Sequence, residues 1–416
     1  MGRQAVCFLA GFTTASLLCG LASSSTVLIA ARVAQGLAAA AMAPQVVTVI
    51  QLFYDGEARA RALARFAIVV AAGATVGQIV GGALVSANIA GSSWRPVFLV
   101  NVPVGILLLA IGPRVLPHTR TERAPRLDLV GVALLTAAVL LLIVPLVFGH
   151  EAHWAWWTWA SLAMVGPTCM VLAAHLRGLS RRGGDPLLHL GLLRRGPTAL
   201  GLLALSAQMI AYGGFLLVFT LHLQRGLGYT PLRSGLTLAP FAIGFALASL
   251  TVPRLPAAAA RSIAVGGLVT MAVGYAALGL AGYDGAWHDT LMLPLLAVTG
   301  AGFGAGYSPV LARTLAGVPA ARARDASGLF TTVNQLSYAL GVATIGSQFI
   351  SRVHVSTPLQ TGHAFAVAAS TCGALGLLAV LMVVMLGVTE GHVDTRQKRD
   401  LRGAPRPSWS SMEYGS

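Results

Sequence analysis

Apolar residues in this chain fall into twelve runs, at 5–21, 26–49, 63–86, 97–112, 128–148, 156–175, 197–220, 234–252, 261–281, 290–312, 326–349 and 365–388. Polar segments, most of them carrying arginine, separate the runs. Most runs are about 18–25 residues long, the length an α-helix needs to cross ~30 Å of hydrocarbon at 1.5 Å per residue. The pattern predicts an all-α polytopic membrane protein with twelve transmembrane helices. Only Arg3 precedes the first run as a charge, and no small-residue cleavage site follows it, so it reads as a helix and not as a removable leader. The polar stretch 389–416 reads as a disordered tail.

Composition narrows the class. The 416 residues are 56% apolar and 10% charged, with mean hydropathy +0.75. A soluble domain carries about 25% charge, which sets ordinary cytosolic enzymes aside. The formal net charge of +15 would pass a first screen for nucleic-acid binding. The basic residues, however, are strung out between apolar runs, so no nucleic-acid partner is expected. Cys7, Cys19, Cys169 and Cys372 all lie inside apolar runs without a CxxC pair, and read as buried free thiols and not as a disulfide framework or metal site.

The placement of Lys and Arg gives an orientation. The two tails and alternate loops, counted with the residues at their span ends, hold 23 of the 28 basic residues. The other six loops hold four, and Arg32 lies within a span. By the positive-inside rule both termini are expected in the cytoplasm. Trp94, Trp154, Trp156, Trp157, Trp159 and Trp287 then fall at the outer face, as an interfacial aromatic belt would. His150, His153, His222, His288, His354 and His363 lie in or beside outer loops and are expected to be solvated. An i, i+3 pair such as His150 and His153 is too little for a metal site, so no metal is expected.

Shifting the chain by 264 residues aligns Gly36 with Gly300, Phe66 with Phe330, Gly77 with Gly341 and Gly82 with Gly346. The second span then matches the tenth, an offset of eight helices. Two parallel six-helix halves would repeat at an offset of six. Eight implies two further helices between the halves, and makes the second span the fourth helix of its half.

Arg32-Val-Ala-Gln35-Gly36-Leu-Ala-Ala-Ala resembles the RxxQGxxxA motif in the fourth helix of the major facilitator superfamily. Gly73-Ala-Thr-Val-Gly77-Gln78-Ile-Val-Gly81-Gly82 is similar to its antiporter motif, GxxxGPxxGG, with Gln78 in place of proline. Trp94-Arg95-Pro-Val-Phe-Leu-Val-Asn101-Val-Pro103-Val-Gly105 resembles the WRWIFxxNxPxG signature of the fourteen-span drug:proton antiporters. Asp128-Leu-Val-Gly131 and Leu-Gln224-Arg-Gly-Leu-Gly228 also fit that family. Met1-Gly2-Arg3-Gln4 resembles the end of a loop that precedes the third helix in relatives. The resemblance therefore implies the last twelve helices of a fourteen-span plan. It divides the chain into the remainder of an amino-terminal bundle (1–113), a two-span insert with its linkers (114–196), a six-helix bundle (197–388) and a cytoplasmic tail (389–416).

The candidate residues have physical grounds of their own. Arg32 lies about 10 Å inside its span, where a charge costs about 2.5–3.5 kcal/mol on insertion scales, so it should face a cavity or a partner, or snorkel. Gln35 shares its face at i, i+3. The resemblance implies a role in proton transfer for Arg32. Gly73, Gly77 and Gly81 form a stripe that admits close helix approach; the family reading adds a hinge and seal completed by Gly82, while Gln78 restores a backbone N–H and lessens any kink. An amide at Asn101, beside Pro103, can satisfy a carbonyl that the ring has freed. Gln208 and Tyr212, and Asn334, Tyr338 and Gly341, form polar stripes that either line a substrate cavity or make interhelical hydrogen bonds.

None of the thirteen carboxylates falls deep within a span; Asp128 sits at the mouth of the fifth. Proton coupling ordinarily uses an intramembrane Asp, Glu or His. The resemblance implies a multi-pass transporter of the plasma membrane that exports amphipathic small molecules against protons and is not an enzyme. No GxxxxGK[ST] occurs, so no nucleotide cofactor is expected. The alternative is a non-transporting membrane remnant of such a protein.

Overall fold

In lipid every backbone N–H and C=O must be satisfied within the protein, so apolar runs of this length fold as helices and their ends need caps. A computed structural model of the chain describes residues 2–54, 58, 73, 76, 77, 79–115, 128–149, 152–188, 191, 196–256, 259–316 and 323–403. Its helices are α1 (Gly2–Gly20), α2 (Ser25–Phe53), α3 (79–87), α4 (Pro96–Leu99), α5 (Asn101–Val115), α6 (Leu129–Phe148) and α7 (Trp156–Arg181), followed by α8 (Gly196–Leu221), α9 (Pro231–Thr251), α10 (Ala260–Ala281), α11 (Asp289–Ala316), α12 (Ala323–Ile350) and α13 (Pro358–Gly403). Ser24 caps α2 by accepting from Val27 N–H, and Thr230 caps α9 with Pro231 in the first helical position.

Among the described residues, eight helices are long and apolar enough to cross a membrane: α2, α6 to α11, and α13. Two shorter apolar stretches lie in α1 and in α4–α5. The third run is described mainly at its carboxyl end, α3; Gln78 lies outside the described residues. The fourth run is split at Val100. Pro103 has no N–H to give to the Leu99 carbonyl four residues back, and the ladder is interrupted there. α13 continues past 388 as far as Gly403.

The core lies in the second bundle. There α8 packs on α12 and α13, α9 on α11, and α10 on α11 and α13. Fully covered Phe215, Phe219, Tyr275 and Phe365 fill its centre, with Leu268, Met271 and Met292 around them. In the first bundle α1 packs on α2 and α5. α6 and α7 pair with each other, and α6 leans on α12, where Ser347 Oγ donates to the Leu146 carbonyl.

Asp128 closes the insert. Its carboxylate, with a side chain only 3% exposed, accepts from Gly131 N–H at 2.8 Å and from Leu187 N–H at 3.2 Å, and pairs with His175 Nε2 at 2.8 Å. The start of α6, the end of α7 and the following loop are thus pinned by one side chain. A Cβ at Gly131 would collide with this carboxylate, which gives the Asp-x-x-Gly spacing a steric reason.

Repeat-related glycines differ in their surroundings. A Cβ at Gly300 would strike the Phe241 carbonyl, and one at Gly341 the Ile210 carbonyl. At Gly36 and Gly77 it would meet nothing within 4 Å. Glycine costs a helix interior about 0.8–1.0 kcal/mol relative to alanine, so the two sites should respond with opposite signs. Gly341→Ala is expected to lower the melting temperature of the detergent-solubilised protein, because overpacking costs about 1–3 kcal/mol. Gly77→Ala should leave it unchanged or raise it.

Candidate functional site

The Arg32 side chain enters a buried polar chain in the first bundle. Arg32 donates to Gln35 Oε1 at 3.1 Å, and Gln35 Nε2 donates to Ser16 Oγ at 2.9 Å. Asn101 Nδ2 donates to the same Ser16 oxygen at 3.1 Å, and Ser16 passes its own proton to the Phe98 carbonyl at 3.0 Å. Cys19 Sγ lies 3.8 Å from Gln35 Oε1 as a weak donor. Ser16 and Cys19 are fully buried and Gln35 nearly so; Cys372 is buried as expected, whereas Cys7 and Cys169, also expected to be buried, lie exposed on outward helix faces. The guanidinium stands 4.9 Å from the centre of the Phe98 ring, a cation–π contact in which the ring quadrupole attracts its charge.

Arg32, Gln35, Phe98 and Asn101 line an open cavity of about 510 Å³, together with Phe12, Gly36, Ala39 and Val97. Arg32 has no carboxylate partner among the described residues. Its electrostatic field therefore reaches into the cavity, softened only by the Gln35 amide and the Phe98 face. The chain Arg32–Gln35–Ser16–Asn101 links three helices and offers a rotatable hydroxyl between two amides.

The Trp94–Arg95 signature works at the end of this bundle. Arg95 donates to the Ala22 carbonyl at 3.0 Å and lies 5.2 Å from the Trp94 ring centre, while Trp94 meets Phe98 edge-on at 5.8 Å. Gly105 lets α5 approach α1, since a Cβ there would collide with Thr13. Asn101 does not serve the carbonyl beside Pro103, as its position suggested. Its amide is drawn to Ser16 because the break at Val100 turns it toward α1.

Within the antiporter motif, the stripe Gly73, Gly77, Gly81 meets no neighbour within 4 Å, and the close contact falls on Gly82 instead. A Cβ on Gly82 would lie 2.6 Å from the Pro231 carbonyl oxygen and 3.1 Å from Leu232 Cα. One turn on, Ser86 Oγ accepts from Leu232 N–H at 2.9 Å. The carboxyl end of α3 is thereby seated on the first turn of α9, across the boundary between the two bundles.

The second-bundle candidates form a separate group, and they do not line the Arg32 cavity. Gln208 is buried and donates to the Phe303 carbonyl at 2.9 Å. Tyr212 stacks on Phe241 with centroids 5.8 Å apart at 14°, and touches Phe303 at 4.9 Å and Tyr338 at 6.0 Å. Tyr307 stacks on Phe303 at 5.8 Å and shares a hydrogen bond with Asn334, whose Oδ1 has no partner. The result is an aromatic wall with polar tips from α8, α9, α11 and α12. Phe241/Phe245 and Phe303/Tyr307 were readable as i, i+4 aromatic pairs. Ser16 had no such signal, because a lone serine in an apolar helix is commonplace.

Residues 1–342 match the family described as Major Facilitator Superfamily. The chain is 37% identical over 343 residues to a probable actinorhodin transporter of Streptomyces coelicolor, covering 82% of this chain and 59% of that protein. It is 32% identical over 338 residues to the multidrug resistance protein Stp of Mycobacterium tuberculosis, covering 81% and 61% respectively. With the multidrug efflux pump LfrA of Mycolicibacterium smegmatis it shares 31% over 387 residues, 88% of this chain and 72% of that one. Among solved structures, tetrameric PepTSo2 superposes with a TM-score of 0.61 at 15% identity, over 94% of this chain and 84% of that one. The chain belongs to the Major Facilitator Superfamily and is a polytopic membrane protein, and the relatives named here are a probable transporter, a multidrug resistance protein and a multidrug efflux pump. It spans about three fifths of the length of the first two of these relatives.

Ser16→Ala removes the shared acceptor and leaves two buried amide donors unpaired, at about 1–3 kcal/mol for each group so stranded. The expected result is a lower melting temperature together with faster maleimide labelling of Cys19. Labelling that stays as slow as in the parent protein would show that Ser16 does not hold the cluster shut.

Proposed function

We propose that the chain works in proton-coupled export of amphipathic small molecules, and that Arg32 is the charge through which the proton gradient acts. The observation carrying this reading is a guanidinium at a cavity, without a carboxylate partner among the described residues and wired to the Gln35–Ser16–Asn101 chain, in a protein whose relatives include a multidrug efflux pump. An acid arriving near Arg32 would give up its proton more readily, because the guanidinium favours the conjugate base, and that anion would pair with Arg32 until a proton returns. Closing the open cavity over Arg32 would strengthen this exchange and bias a two-state equilibrium.

Alternating access would come from the two bundles rocking about a midplane site, with Gly82 and Ser86 closing on Pro231 and Leu232 at one end. The substrate's apolar ring face would stack on Tyr212 and Tyr338, while Gln208 and Asn334 hold the wall in place. The arginine distribution favours a plasma-membrane orientation with both termini cytoplasmic. The signature around Trp94 and Asn101 favours the fourteen-span drug:proton antiporters as the nearest group.

Efflux of a fluorescent amphipathic dye from vesicles under an imposed proton gradient tests the proposal. Arg32→Ala should reduce gradient-driven efflux roughly tenfold or more, and Arg32→Lys should retain part of it because the charge survives while the planar fork does not. Efflux by Arg32→Ala that still collapses on adding a protonophore, at the parent rate, would remove Arg32 from the coupling mechanism.

A further inference from the structure

At the end of the second bundle, His222 departs from the solvated loop side chain that its position in the sequence predicts. It is fully buried. It opens a five-residue π-helical turn, His222–Gly226, that ends α8; such turns are uncommon and concentrate at functional sites. The imidazole lies flat on Phe365, with ring centroids 5.0 Å apart at 12°. Its Nδ1 is 3.1 Å from Thr361 Oγ1. Gly226 leaves room for this pair, since a Cβ there would collide with Thr361.

Thr361 Oγ1 also lies 2.9 Å from the Thr357 carbonyl and 3.1 Å from the Pro358 carbonyl. With the hydroxyl proton on one of these carbonyls, its oxygen accepts from Nδ1–H, the tautomer on which the proposal below is built. Nε2 is then a lone pair facing the interior, with no hydrogen-bond partner. No Asp, Glu, Lys or Arg occurs in Gly196–Leu221 or between Pro358 and Gly387, so nothing on α8 or on the membrane part of α13 can neutralise a charge there. Of the other groups at this end, Arg225, His288 and His354 are exposed, Arg233 lies over Tyr229, His363 stacks on Tyr283, Asp284 and Asp289 accept from Ala286 N–H and Trp287 Nε1–H, and Arg352 donates to the Gln348 carbonyl.

We propose that His222 is a proton-binding site whose occupation opens the contact between the π turn and the start of α13. The neutral ring fits the closed packing. A second proton on Nε2 would create a buried cation whose N–H has no acceptor, and such a group is far more costly to bury than the neutral one. The protonated ring is accommodated only when the turn moves and Nε2–H reaches water, so proton binding and opening are linked. The arginine distribution puts this end on the outside, and this clause of the proposal rests on the exporter reading above. An acidic exterior would then load His222 and hold this end open.

Hydrogen–deuterium exchange of the full chain in lipid nanodiscs tests this without requiring transport. After division by intrinsic rates, segments 222–230 and 357–366 should lose roughly tenfold in protection between pH 7.5 and pH 5.5. His222→Gln should abolish that difference, and His363→Gln should keep it. Thr361→Val retains the imidazole and removes its partner; it should lower protection at both pH values and keep the difference, which supplies a second reading if His222→Gln does not fold. Equal protection of the parent protein at the two pH values, or a difference that survives in His222→Gln, overturns the proposal. Gradient-driven efflux accompanied by pH-independent exchange would sink His222 alone, whereas pH-dependent exchange without any efflux would sink the exporter reading alone.

Discussion

Hydrocarbon offers no hydrogen bonds, and that scarcity shapes this protein. A polar side chain inside the bilayer either returns to its own helix, as Thr220 does to the Leu216 carbonyl, or finds its partner on another helix, and that partner then fixes how the helices meet. Ser16 shows the consequence in the first bundle. One hydroxyl accepts two amides and donates to a broken helix, so that α1, α2 and the α4–α5 junction share a single node. Arg32 extends from this node into the cavity. Its orientation is inherited from a serine sixteen residues earlier in the chain.

The second bundle meets the same constraint differently. Its interior is almost wholly aromatic and aliphatic, and its few polar groups mostly reach backbone carbonyls, as Gln208 does to Phe303 and Cys372 to Ala211. Close helix approach is secured by glycine against carbonyl at Gly300 and Gly341. The two halves of one repeat thus obtain specificity by different means: a hydrogen-bond network in one, steric register in the other. His222 is the exception, a polar ring placed among aromatics with one nitrogen satisfied.

Much of the helical plan was legible because hydrocarbon length is a strong signal. The eight apolar helices and the shorter α1 and α5 all coincide with runs read directly from the residues. Arg32 and Gln35 were visible as an i, i+3 pair, and the contact between them follows. The partners across helices were not visible. Nothing in the sequence separates Ser16 from other serines in apolar helices. Asn101 was paired with the neighbouring carbonyl because its contact with Ser16, 85 residues away, is a tertiary outcome. His222 was misread for a related reason: it stands beside a loop in sequence, while the π turn folds it back under Phe365. Asp128 was noted at a span mouth, but its engagement of His175, 47 residues away, depends on how α6 and α7 pair.

The insert has a mechanical role that follows from where it leans. α6 is fastened to α12 through Ser347, and Leu188, just past α7, packs on Leu202 and Leu329. Both anchors lie on helices of the larger core, so any displacement of α8 and α12 would carry the helix pair along.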